Sequence, residues 1–220
     1  MKAAYYTGNR VILNRQSHEI IFNKIYRLNA WGDIETLSGA GSNTLNTAAI
    51  RKALPSLLRN FGIGSLLDIP CGDFFWMNQI SLGVDRYIGA DIVKKLVDAN
   101  REKFATTGRA FVMMDILVDD LPSVDLIICR DCLPHFSFAD IGRALSQIKK
   151  SGSRYLLTST YTSRIENTDI ATGGFRPLNL QIVPFNFPPP LVIINEECRF
   201  DNDIYEDKSL GLWEIKNLPS

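Results

Sequence analysis

The chain has 220 residues, 45% of them hydrophobic, which suits one domain with a continuous core and excludes a disordered segment. Its 24 Lys and Arg balance 24 Asp and Glu, so no net field draws it to nucleic acid or an anionic membrane, and neither is expected as a partner. No apolar stretch reaches membrane-spanning length and the opening MKAAYYTGNR lacks the apolar core of a signal peptide, so a cytoplasmic location is expected.

The first element in chain order is SHEIIFNKIYRLNAWG, where Ile21, Ile25 and Leu28 stand at helical spacing, with Ser17 as cap and Gly32 as stop. The turn-forming stretch SGAGSNT follows, either a plain linker or a lid. TAAIRKALPSLLRNFG predicts a second helix, kinked at Pro55 and closed by Gly62. Short apolar runs then alternate with helical patterns. SLLDI, RYIGADI, AFVMMDI, VDLIICRD and RYLLTSTY read as strands, and helices are expected near 74 to 81, in VKKLVDANREKFA and in FADIGRALSQIKKSG. Trp76 and Met77, in the first of these helices, are expected to face the core. The stretch ATGGFRPLNLQIVPFNFPPP, with five prolines, has neither period and predicts a long functional loop. LVIIN and SLGLWEI close the chain as an antiparallel pair. The expected fold is α/β: one Rossmann-like, doubly wound, mostly parallel seven-stranded sheet with an N-terminal helical extension. Of the four cysteines, Cys129 and Cys132 form a single CxxC with no second ligand pair, so neither a disulfide framework nor a metal is expected.

In open parallel sheets, ligands bind beyond the carboxyl ends of the strands, where the strand order reverses. The turn after the first strand reads IPCGDFF. Its one glycine, Gly72, is flanked by Pro70 and Phe74 where a dinucleotide motif would carry further glycines, so a pyrophosphate cradle is poorly supported. The strand ends instead on Asp68, whose carboxylate suits a cofactor with a cationic amino group. Asp91 closes the next strand, 23 residues on, and can accept from both ribose hydroxyls. Asp115 closes the third and can accept from an adenine amino group. Each acid has a local reading as well, Asp68 and Asp91 as helix caps and Asp115 as a turn former. Together they describe a pocket for a cationic adenosine, of which S-adenosyl-L-methionine is one.

The segments LLDIPCGD, YIGADI, FVMMDI and LPSVDLIICRDCLPHF, in this order over about residues 60 to 160, resemble the class I S-adenosylmethionine-dependent methyltransferases. LDIPCGDFFWM, SGAGS and GGFRPLNL extend the likeness to a bacterial branch with LDxPCGDxxWM, SGxGS and GGxRPLNL motifs. The resemblance implies that Asp68, Cys71 and Gly72, flanked by Pro70 and Asp73, line the methionine end. Asp91 with Ile92 would hold the ribose, Asp115 with Ile116 the adenine, and Arg130 would lie near the sulfonium. It divides one methyltransferase domain into N-terminal helices and lid (1–60), cofactor-binding core (61–160), and acceptor loop with closing strands (161–220). The branch also implies a small-molecule or saccharide acceptor, nucleotide sugars included.

Methyl transfer to a hydroxyl gains from a base, and both His135 and Asp131 stand after the fourth strand to supply one. Phe175, Arg176 and Asn179 are the candidate acceptor contacts, an aromatic face and an amide for a sugar ring and a guanidinium for carboxylate or phosphate. No Asp/Asn-Pro-Pro-aromatic stretch follows the fourth strand, which argues against adenine-type N-methylation. The expected activity is O-methyl transfer. Its rivals are a nicotinamide-dependent oxidoreductase on a similar sheet and a non-catalytic S-adenosylmethionine-binding protein.

Overall fold

The computed structural model describes residues 15–198 and 204–219; the opening decapeptide lies outside them, as do the side chains of 15–17. Seven strands form one sheet: β1 (Ser65–Asp68), β2 (Arg86–Asp91), β3 (Arg109–Met113), β4 (Leu126–Cys129), β5 (Tyr155–Tyr161), β6 (Val192–Asn195) and β7 (Lys208–Glu214). Their order is β3-β2-β1-β4-β5-β7-β6. The first five pair in parallel, and β7 runs antiparallel to both β5 and β6. The expected doubly wound, mostly parallel sheet is present. Its order reverses between β1 and β4, which opens a crevice at their carboxyl ends.

Among the described residues four α-helices accompany it: α1 (Arg15–Arg27), α2 (Ala48–Asn60), α3 (Lys94–Phe104) and α4 (Phe138–Lys150). Alternation along each strand sends side chains to opposite faces. Leu66, Leu126, Ile128 and Leu157 meet Ile50, Leu54, Leu57 and Leu58 of α2 and Val97 of α3 on one side. Leu67, Ile127 and Leu156 meet Ile141, Ala144 and Ile148 of α4 on the other. α2 runs through Pro55 to Asn60, and Gly62, at φ 62, lies just past it. Ser137 caps α4 by accepting from Asp140 N at 3.2 Å.

Three expectations change. α1 already includes Ser17, so that residue is not its cap. The chain leaves α1 at Asn29, in left-handed backbone (φ 43), where Ala30 N donates to Ile25 O at 3.0 Å; Gly32 belongs to the next turn. Residues 74–81 form turns and a single 3₁₀ turn (Met77–Gln79), not a helix. Phe74 sits at φ 58, which a helix cannot contain. Its ring is buried against Tyr87, Phe104 and Phe111, and aromatic packing there outweighs helix formation.

Residues 162–191 contain no helix or strand, yet they cover the sheet beside α4. Leu178, Leu180, Phe185 and Phe187 are buried, each contributing roughly 2 kcal/mol by removal from water. A proline-rich segment with apolar residues at irregular spacing thus does a helix's work.

Candidate functional site

The parallel register places the last residues of β1 and β2, Asp68 and Asp91, on one edge of the sheet. Asp115 follows β3 by two residues, and Arg130 and Asp131 follow β4. All five line a cleft of about 1050 Å³ counting its open mouth, with Pro70, Cys71, Gly72, Ile92, Ile116 and His135. One site therefore gathers nearly every residue expected at the cofactor.

Each acid is held differently. Asp68 is buried and accepts a 2.5 Å hydrogen bond from Tyr87 Oη; burial pushes its pKa up to about 7 although that bond favours the anion. Asp91 accepts from Val93 N at 2.8 Å and Gly72 N at 3.0 Å, so it pins the entry to α3 and the turn after β1 together. Burial raises it to about 6 against those bonds. Asp115 Oδ1 accepts from Leu117 N at 2.9 Å, whereas its buried Oδ2 has no hydrogen-bond partner, with His18 Nδ1 3.5 Å away. The local roles read from sequence for Asp91 and Asp115 are real and coexist with a place in the cleft.

Asp73 does not line the cleft. Its carboxylate receives Thr36 Oγ1 at 2.8 Å, Leu37 N at 2.8 Å and Ser38 Oγ at 3.1 Å, anchoring the segment before α2. That segment folds over the site, and Leu37, Ser38 and Ser42 form part of its wall. Gly72, at φ 56, has no room for a Cβ because Ser38 Oγ occupies the space. The SGAGS stretch is thus packed against the cleft, with Ser38 and Ser42 in its wall.

The stretch's second anchor is Arg130, which donates to Gly41 O at 2.5 Å and Ser42 Oγ at 3.3 Å. The same guanidinium forms a two-pronged bond with buried Glu196, at 3.1 and 2.7 Å, and lies over the Trp76 ring. Lys208 Nζ reaches Asp131 at 2.6 Å and Glu196 at 3.2 Å. Glu196 follows β6 and Lys208 opens β7. The antiparallel course of β7 brings both to the edge where β4 ends. Gly41 packs closely here, since a Cβ would lie 3.0 Å from Asp131 Oδ2 and 3.2 Å from Lys208 Nζ and would make both side chains shift.

These contacts correct two expected roles. Arg130 lines the cleft but is fully engaged by protein groups. Asp131 is held far below the usual carboxylate range by Arg130 and Lys208, which outweigh its burial, so it is a poor proton acceptor. His135 is different. Its Nδ1 lies 2.7 Å from Gly174 O, and because a carbonyl only accepts, Nδ1 carries the proton and Nε2 holds the lone pair in the neutral ring. Burial lowers its pKa, against the Gly174 bond, so the ring is neutral and basic at physiological pH. Trp31 and Phe175 flank it, with ring centroids 4.9 and 5.5 Å away.

Arg176 and Asn179 are not part of the cleft wall. The Arg176 guanidinium donates to the carbonyls of Thr168, Leu133, Pro134 and Phe136 at 3.1, 3.1, 2.7 and 2.6 Å, stapling the long loop to the turn that carries His135. Asn179 bonds Arg164 O and Gln181 N. Both are structural because their donors end on main chain, which no motif reveals. Trp76 and Met77 are both buried in the core as expected, and Trp76 also reaches the cleft wall. Sequence reasoning also missed His18, Phe22 and Tyr26 of the cleft wall. They form a second stripe on α1, offset from Ile21 and Ile25, and that spacing was their only signal.

No protein-family model matches the chain, and no curated protein matches it in sequence. Solved structures do. The N-methyltransferase NodS from Bradyrhizobium japonicum WM9 superposes with a TM-score of 0.57 at 14% identity, over 81% of this chain and 99% of NodS. Magnesium protoporphyrin IX methyltransferase from Synechocystis PCC 6803, with bound SAM, gives 0.48 at 16% identity over 74% and 83% of the two chains. Human N-acetylserotonin methyltransferase in complex with SAM gives 0.47 at 16% identity; the match covers 64% of this chain and only 41% of the human enzyme. The likeness to NodS establishes a shared Rossmann-like methyltransferase fold. No helix among the described residues is long and apolar enough to cross a membrane.

Proposed function

We propose that the protein is an S-adenosyl-L-methionine-dependent methyltransferase that transfers a methyl group to a hydroxyl of a small-molecule or saccharide acceptor. The observation that carries this reading is the convergence of Asp68, Asp91 and Asp115 from three successive strands on one cleft at the switch point. The residues fit that cofactor. Burial in the cleft raises the pKa values of Asp68 and Asp91, and Asp115 Oδ2 is a buried acceptor lacking a donor. A cationic amino group, ribose hydroxyls and an adenine amine would supply what the three lack. The turn after β1 has the wrong shape for a dinucleotide pyrophosphate, since Phe74 and Pro70 replace glycines.

When bound, the cofactor supplies an activated methyl group. The chain supplies alignment, dryness and a base. Asp68 with the Cys71–Gly72 turn holds the amino-acid end, Asp91 the ribose, and Asp115 with Ile116 the adenine ring. The lid, anchored on Asp73 and Arg130, excludes water. His135 Nε2 takes the acceptor's proton, while Gly174 O holds Nδ1–H and fixes the tautomer.

Calorimetric titration tests the reading. S-adenosylhomocysteine is expected to bind, NAD is not, and Asp91→Ala removes the former. Uptake of NAD with indifference to S-adenosylhomocysteine overturns the assignment. A labelled-methyl screen over alcohols, glycosides and amines then identifies the methylated atom.

A further inference from the structure

Aromatic rings continue on from His135, with Trp31 in the cleft wall and Phe175 and Tyr205 outside it. The row runs from Trp31 through His135 and Phe175 to Tyr205, with centroid separations of 4.9, 5.5 and 5.6 Å. Trp31 is 38% exposed, Phe175 44% and Leu37 44%, so a stepped apolar shelf beside the base faces solvent, its rings tilted by 37° between Trp31 and His135 and by 47° between His135 and Phe175. Such a shelf gives a ring something to lie on and orients its edge.

The charges at the mouth decide which rings fit. Among the described residues Arg130 is the only Lys or Arg in the cleft wall, and Glu196 and the lid saturate it. Lys208 is committed to Asp131 and Glu196, and Arg176 to main-chain carbonyls. The group of Arg130, Lys208, Asp131 and Glu196 thus carries no net charge. The other wall residues with fixed charge are carboxyls. Among the described residues a phosphate would find no free guanidinium or ammonium there, and binding it would set it among acids.

Resting on the methyltransferase reading above, we infer that the acceptor is an uncharged ring-bearing alcohol. Its ring face packs on Trp31 and Phe175, and its hydroxyl edge turns toward His135 Nε2. Nucleotide sugars and sugar phosphates, which the resemblance admits, are disfavoured, because no described cation is left to hold a phosphate. The shelf is common chemistry for an arene and for the CH face of a sugar.

The test uses the full chain saturated with S-adenosylhomocysteine. Saturation-transfer NMR measures 4-nitrophenyl β-D-glucopyranoside, a neutral probe with both kinds of ring, against 4-nitrophenyl phosphate. The neutral probe is expected to bind at least ten-fold more tightly. Saturation of its aryl protons identifies an aromatic acceptor, and saturation of its sugar protons a saccharide. Phe175→Ala is expected to weaken the probe at least five-fold, with the melting temperature and S-adenosylhomocysteine affinity unchanged. A neutral probe that does not bind, or binds no better than the phosphate, overturns the inference, as does an indifferent Phe175→Ala. Absence of S-adenosylhomocysteine binding instead removes the underlying reading, so the two failures are distinct.

Discussion

Raising the pH from 6 to 8 will tighten binding of S-adenosylhomocysteine, and replacing Asp68 with Asn will remove most of that gain. Asp68 is 3% exposed, and burial raises its pKa from 3.8 to about 7 despite the Tyr87 bond. A rise of about three units corresponds to roughly 4 kcal/mol of strain on the anion in the ligand-free cleft. A ligand with a cationic amino group binds the ionised form, so the proton must leave. The ionised fraction grows from about one tenth at pH 6 to about nine tenths at pH 8, which predicts a gain in affinity of about ten-fold. At pH 6.5 roughly three quarters of a proton is released by Asp68 and about a quarter by Asp91. Calorimetry in two buffers of different ionisation enthalpy reads this number directly, and Asp68→Asn is expected to leave only the Asp91 share. Stability follows the same linkage. A carboxyl with a raised folded-state pKa stabilises the ligand-free protein fully below about pH 4, and loses that contribution as pH climbs through about 7. Thermal melting is therefore expected to fall over that window without ligand. Affinity that is flat with pH, or proton uptake on binding, would refute the idea that this carboxylate meets a cation.

The other expectations concern the base and the scaffold around it. His135→Gln is expected to lower kcat/KM about 10²- to 10⁴-fold, and to abolish an inflection below the ordinary histidine range. Activity rises with pH through that inflection, because the ring must be neutral to accept a proton. Arg176→Met leaves four buried or half-buried carbonyls without their donor and is expected to cost roughly 2–4 kcal/mol in urea unfolding, with S-adenosylhomocysteine affinity retained. Glu196→Ala strands Arg130 and Lys208 in the interior and is expected to cost roughly 3–5 kcal/mol. It also frees residues 36–44 to proteolysis. Gly72→Ala forces Ser38 away from Asp73 and is expected to weaken S-adenosylhomocysteine binding while the core melts within a few degrees of the parent.

The strands and their terminal acids were legible because both signals are local. An apolar run of four or five residues that ends on Asp has few other meanings, and three in order fix a sheet edge. The glycine-rich stretch was legible as either a linker or a lid, but not how it is held, since its anchors, Asp73 and Arg130, lie 35 and 89 residues from their partners Ser38 and Gly41. Residues 74–81 misled because their composition is apolar and unbroken, while the deciding feature, the left-handed backbone at Phe74, answers to rings on β2, β3 and α3. Arg176 misled in the opposite sense. Arginine beside an aromatic residue suggests anion recognition, but its five donors match a turn's converging carbonyls equally well, and only the folded chain shows which are present. Glu196 and Lys208 carried no signal at all. Their position depends on β7 inserting antiparallel between β5 and β6, a topological fact invisible in either residue's neighbourhood.

The buried charges raise the question of why they are there. Removing Arg130, Glu196 and Lys208 from water costs several kcal/mol per ion, and apolar residues of the same size would generally serve stability as well. Stability is thus a weak reason for them. Their geometry offers a better one. Arg130 receives the lid through Gly41 O and Ser42 Oγ, and Lys208 ties down Asp131 beside it. Because the cations are matched within the group, it presents no net charge to the cleft, although Arg130 still eases the ionisation of Asp68. The field there is left to Asp68, Asp91 and Asp115. The lid is therefore fastened by charge without making the mouth attractive to anions. An apolar clasp would not place a donor at Gly41 O, and an unmatched arginine would draw phosphate into a site whose carboxylates face a cationic cofactor.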